Sequence, residues 1–164
     1  MLRLDYDASS AMAGLDGIAA AAAAVVRPVA QAGAQVLYEE ARRRAPVGEP
    51  HVGKGGKHYP GGTLKASIYQ VYSTDKSAQG RAVYHVSWNA AKAPHGHLIE
   101  FGHWQMHRVV KLAEGRFISL KAEKLPQPRW IAAQPFIRPA FDARLQAALQ
   151  AANIELIRRM EGKL

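Results

Sequence analysis

Residues 9–45 form an alanine-dominated run that ends at Pro46. Alanine is the best helix former, so this run commits the N-terminal part of the chain to helix. Pro28 interrupts it. A proline there either opens a second helix, where its missing N–H costs nothing, or kinks one long helix. In the second half Val29, Gly33, Val36, Leu37 and Ala41 make one apolar stripe, with Glu39, Arg42 and Arg43 on the other side. Arg42, Arg43 and Arg44 crowd the last turn, where cations complement the helix dipole. The most apolar stretch, Ile18–Val26, is too short to span a bilayer. Asp5, Asp7 and Asp16 upstream of it carry the wrong charge for a signal peptide.

At 164 residues the chain is expected to make one domain, residues 1–164, with a proper core. It has no cysteine, which removes disulfides, thiolate nucleophiles and cysteine-based zinc sites together. Twenty-two basic residues against 13 acidic ones give a net charge of +9, suited to polyanionic surroundings or acidic partners.

After the helix, residues 46–62 contain six glycines and three prolines and read as a long loop. Loops of that length are commonly functional or ordered by a partner. Period-two stretches at Ser67–Ser73 and Arg81–Trp88 predict an antiparallel pair. "RVVKL" and "RFISL" flank "AEGR" as a second hairpin, and Pro126, Pro128 and Pro135 mark an extended crossing. From Pro139 the residues Phe141, Leu145, Ala148, Leu149, Ala152, Leu156 and Met160 step by threes and fours as an amphipathic helix. The expected fold class is α+β, with N-terminal helices and a C-terminal amphipathic helix packed on a small antiparallel sheet. Val36, Leu37, Trp88, Phe101, Phe136, Phe141, Leu145 and Leu149 are the expected core.

Several stretches imitate chemical motifs. Gly48 to Lys54 meets the first seven positions of a phosphate-binding P-loop, but Gly55 replaces the required Ser or Thr, and a helix rather than a strand precedes it. Residues 94–107, "PHGHLIEFGHWQMH", hold four histidines and Glu100. His95 and His97 alternate, but no scaffold in the pattern brings three ligands round one point, so no metal site is expected. The segment reads instead as a structural strand and turn. No nucleophile has an evident activating neighbour and no pair of acids stands out, so neither catalytic residues nor a cofactor site are expected. Basic residues interleaved with Tyr59, Phe117 and Trp130 would suit phosphate contact, yet no nucleic-acid-binding signature accompanies them.

One order of blocks is more specific. "ARRRAP" is followed by "GGTLKASI", then "HGHLIEFGH", then "QPFIRPAFDARL". This resembles the neck or tail-completion proteins of long-tailed bacteriophages, a family related to the minor tail protein Z, over residues 30–160. The matching positions are Ala45-Pro46 with Gly62–Ile68, Glu100-Phe101-Gly102, and Pro135–Ala140. The chain departs from the pattern in its inserted loops at 46–62 and 103–134, and in His103 where the family has Thr.

The resemblance implies a non-enzymatic virion protein, made in the host cytoplasm. It would form a homo-oligomeric ring, sixfold, in the head–tail connector, with genome DNA passing through. Its partners would be a head-closure or connector protein and a tail terminator or tail tube protein, with no membrane. The inserted loops would supply subunit contacts. Arg42, Arg43, Lys54, Lys57, Arg108, Lys111, Arg116 and Lys121 are then candidates to face a neighbouring subunit or DNA. The rival readings are a tail terminator capping the tail tube and, from another class, a basic nucleic-acid-binding protein.

Overall fold

The structure, a computed structural model, describes residues 9–52, 56, 58–113 and 117–161. One helix, α1 (Ser9–Arg44), runs through Pro28, so the N-terminal part is a single helix rather than two. Two short strands, β1 (His51–Val52) and β2 (His58–Tyr59), pair antiparallel within the expected loop. There follow α2 (Thr63–Ser67), β3 (Ile68–Tyr72), β4 (Tyr84–Trp88), α3 (Gly96–Phe101), β5 (His103–Lys111), β6 (Phe117–Ile131) and α4 (Ile137–Glu161). The strands form three separate pairs, β1–β2, β3–β4 and β5–β6. The fold is α+β.

The chain packs as two compact units, and α1, α4 and the β3–β4 pair each contribute to both. The described residues of the first are 9–36, 71–85 and 146–161. Here α1 and α4 meet through small residues. A Cβ on Gly33 would lie 3.1 Å from the Ala148 carbonyl oxygen, and Ala34 and Ala148 are buried beside it. The Arg27 guanidinium sits over the Tyr72 ring at 4.3 Å, and Tyr72 meets Tyr84 edge to face at 5.5 Å. By length and composition Asp16–Arg44 would also pass as a membrane span. Only 11% of its most apolar window is buried.

The second unit comprises residues 37–70 and 86–145 and holds the larger core. Phe136 is fully buried among Ala41, Ala45, Leu64, Ile68, Ala93 and Ala140. Trp88 packs edge to face on it at 5.8 Å. The indole also lies flat against Gly96, where a Cβ would come within 2.3 Å of Trp88 Nε1.

Two segments in which the sequence predicts no helix are helical. Residues 64–67 belong to α2, because Leu64 and Ser67 are both buried and only a helix turns positions three apart to one side. Gly62, at φ +80°, turns the chain into it. The "HLIEF" stretch is α3, with the Leu98 and Ile99 N–H groups both donating to the His95 carbonyl. A separate turn precedes α3, in which Asn89 Oδ1 accepts from the N–H groups of Ala91 and Lys92. The helix buries Glu100 and leaves Phe101 61% exposed, so Phe101 is not a core residue.

Two further core expectations fail, on α4. Phe141 and Leu149 are 48% and 51% exposed, while Ala140 and Ala148 are buried. The sequence carries apolar residues on more than one side of this helix. Close approach to Gly33 selects the side with alanines, and the bulky residues turn outward. Val36, Leu37, Trp88 and Leu145 are partly buried.

β5 and β6 form an antiparallel arm registered by His103↔Ile131, Trp104↔Trp130 and Gln105↔Arg129 at its base, and by Val109↔Ser119 to Lys111↔Phe117 towards its tip. Between these, His107 pairs with Lys124 and the register shifts on both sides, so β6 spends extra residues in bulges. Pro126 and Pro128, which cannot donate to a ladder, fall in one of them.

Candidate interaction surfaces

Glu100 ties the central segment to the last helix. Its Oε2 accepts from the N–H groups of Phe136 and Ile137 at 2.7 and 3.1 Å, and its Oε1 from Arg138 at 3.1 Å. An α-helix leaves four N–H groups without intrahelical partners at its start. Here three donate to Glu100, and the fourth position is Pro139, which has no N–H. The carboxylate also opposes the positive end of the helix dipole. Ile99 adds its carbonyl, which accepts from the Gln134 N–H at 2.8 Å. Gly102, at φ +72°, then releases the chain into β5. A Cβ there would strike Trp130, the Ile131 carbonyl and the Ala133 nitrogen at 2.7 to 3.0 Å. So Glu100-Phe101-Gly102 and Pro135–Ala140 are two halves of one joint.

That joint accounts for the glutamate in the histidine-rich stretch. Both carboxylate oxygens face backbone donors. His97 lies on α3, whereas His103 and His107 lie on β5. Among the described residues no three His, Cys, Asp or Glu side chains are grouped to hold a metal.

An open cleft of about 460 Å³ in the second unit is lined by Pro46, Val47, Leu64, His95, Ile99 and Phe117, among others. Thr63, the hydroxyl in its wall, donates to the Pro60 carbonyl at 2.7 Å. This bond stabilises the turn that leads into α2.

The candidate basic residues fall into two places. Arg42 and Arg43 are on the last turns of α1. Arg42 donates to the Tyr38 hydroxyl at 3.1 Å, and Arg43 grips Glu40 through Nε and Nη2 at 2.9 and 2.5 Å. Glu40 is 4% exposed and also accepts from Arg44 Nε at 2.6 Å and Arg144 Nε at 3.3 Å. The Arg43 guanidinium, more than the other two, holds the Glu40 carboxyl down to about 2, against the upward push of burial. Arg144 and Glu40 escaped the candidate set. The i, i+3 and i, i+4 spacing of Glu40 to Arg43 and Arg44 is legible in sequence, but the link to Arg144 depends on tertiary structure.

Arg108, Lys111 and Lys121 are on the arm. Arg108 pairs with Glu123 across the strands at 3.2 Å. Lys111 approaches Glu49 at 3.9 Å and lies over the Phe117 ring at 5.4 Å. Lys121 is exposed. Lys54, Lys57 and Arg116 lie outside the described residues.

The arm's most conspicuous feature is apolar. Trp104 and Trp130 meet edge to face at 5.3 Å and are 59% and 49% exposed. Met106, Val109 and Phe117 are 49%, 44% and 55% exposed. On α4, Ile154 and Ile157 are 67% and 56% exposed. Exposed apolar groups in such number make the arm and this side of α4 candidate interaction surfaces.

No curated protein and no solved structure matches the chain significantly. A family model does: that described as "Bacteriophage HK97-gp10, putative tail-component" matches residues 10–102, more than half of the chain. The match runs from α1 to Gly102, where the joint to the arm begins. The chain belongs to the HK97-gp10-like family of bacteriophage tail components, structural proteins of the virion.

Proposed function

We propose that this protein is a non-enzymatic component of the head–tail connector, assembling as a closed ring, sixfold, that completes the tail and joins it to the head. Genome DNA passes through the ring. The observation that carries this reading is the β5–β6 arm, anchored at its base yet presenting Trp104, Met106 and Trp130 to solvent. Cyclic rings use head-to-tail contacts, so each subunit needs two different adhesive faces. The arm supplies one, and the outward side of α4, with Leu149, Ile154 and Ile157, supplies the other. An isolated two-stranded hairpin is marginal in water, which gives the arm a reason to seek a neighbour.

The test is to replace residues 107–131 by a tight turn and to image the purified protein alone and with tails. The expected result is a folded monomer that neither forms rings nor completes infectious particles. Normal rings and restored infectivity would place the interface elsewhere. Rings that bind only to isolated tail tubes, and never to heads, would favour a tail terminator.

A further inference from the structure

We propose that Arg43, Arg44 and Arg144, gathered round the buried Glu40 carboxylate, form a binding site for the phosphates of double-stranded DNA. The inference rests on the connector reading for the DNA's presence, but its chemistry comes from the cluster itself.

Three guanidinium groups share one carboxylate, so the cluster carries a surplus of two positive charges. Glu40 is the hub. Arg44 and Arg144 reach it through Nε alone, so its carboxylate engages neither residue's terminal amino groups. Arg43 uses Nε and Nη2, and Glu40 leaves its Nη1 unengaged. The side chains of Arg43, Arg144 and Arg44 are 66%, 50% and 33% exposed, whereas Glu40 is 4% exposed. Arginine side chains open to solvent therefore surround a buried carboxylate.

This geometry removes part of the usual cost of binding with arginine. A free arginine side chain loses rotamer freedom when it grips an anion, whereas these are already held. Guanidinium forks match the paired non-bridging oxygens of a phosphate. A ring multiplies a net charge of +9 by its number of subunits, and that self-repulsion calls for a polyanion. A DNA backbone supplies one at regular spacing. Because these side chains are open to solvent and screened by salt, each contact is weak and exchangeable, which is compatible with DNA moving past.

The experiment uses the full chain and a short DNA duplex, with affinity measured against salt concentration. Arg44→Gln with Arg144→Gln leaves Glu40 its bidentate Arg43 partner. Removing two phosphate contacts should flatten the slope of log K against log salt by about 1.8 per chain. Arg144→Gln alone, which leaves Glu40 two partners, should flatten it by about 0.9, and serves if the double variant is poorly folded. Lys76→Gln with Lys92→Gln removes the same charge from exposed positions elsewhere. Equal slopes in this control and the double variant, or no change in either arginine variant, would overturn the proposal. So would polyglutamate binding that needs the cluster while duplex binding does not, an outcome that points to an acidic protein. The slope is read per chain, whether or not rings form, so failure of the ring reading is separately visible by particle mass.

Discussion

Phe136 and Phe141 stand five residues apart and differ in every respect that matters for stability. Phe136 is fully buried against Trp88, so Phe136→Ala should cost about 3–5 kcal/mol, read from denaturant midpoints. Phe141 is half exposed, and Phe141→Ala should cost less than about 1 kcal/mol. A large loss at Phe141 would contradict the outward orientation of that side of α4. Glu40 gives a pH-dependent counterpart. Its carboxyl is held at about 2, below the ordinary 4.5, so the folded state favours the ionised form. The stabilisation is complete above pH 4.5 and is lost as pH falls through about 2. Melting temperatures of the wild type and Glu40→Gln should therefore differ most near neutrality and converge between pH 4.5 and 2.

At the scale of elements, Glu100 should matter more than its exposed neighbours suggest. Glu100→Ala leaves three N–H groups at the start of α4 without their acceptor and should cost about 2–4 kcal/mol. Glu100→Gln keeps one acceptor oxygen and should cost less. Equal midpoints for wild type and Glu100→Ala would show that water replaces the carboxylate at no cost. The elements themselves were unevenly legible. α1, α4, the β3–β4 pair and the tip of the β5–β6 arm follow from composition and period, whereas the pairing of His103–Gln105 with Arg129–Ile131 at the arm's base does not, because Pro126 and Pro128 read as an extended crossing. α2 and α3 do not, because segments of five or six residues are too short for a helical period to separate from alternation. Their helicity is imposed by the burial of Leu64 and Ser67 and by what Glu100 must reach. The buried side of α4 was hidden too, since only the approach to Gly33 makes alanine preferable to leucine there. The basic candidates on α1 could be named from sequence, but their shared carboxylate could not be assigned to Arg144, 104 residues away from Glu40.

For the whole molecule, the exposed apolar groups divide stability from assembly. Ile154→Gln with Ile157→Gln should leave the melting temperature of the isolated chain within a few degrees of wild type, since both side chains are largely in solvent. On the proposed ring, particle mass in the same samples should fall to that of the monomer, and persistence of rings would clear this face of α4. The joint at Glu100 carries one more consequence. It fastens the chain on both sides of the arm, through Ile99 to Gln134 and Trp104 to Trp130. What lies beyond is a closed loop whose ends are pinned whatever its length. The entropy of closing such a loop grows only logarithmically, by about 0.6 kcal/mol for each doubling. Arm length is thus nearly free to vary without disturbing the folded base. Lengthening or trimming this one excursion would therefore leave the joint beneath it in place.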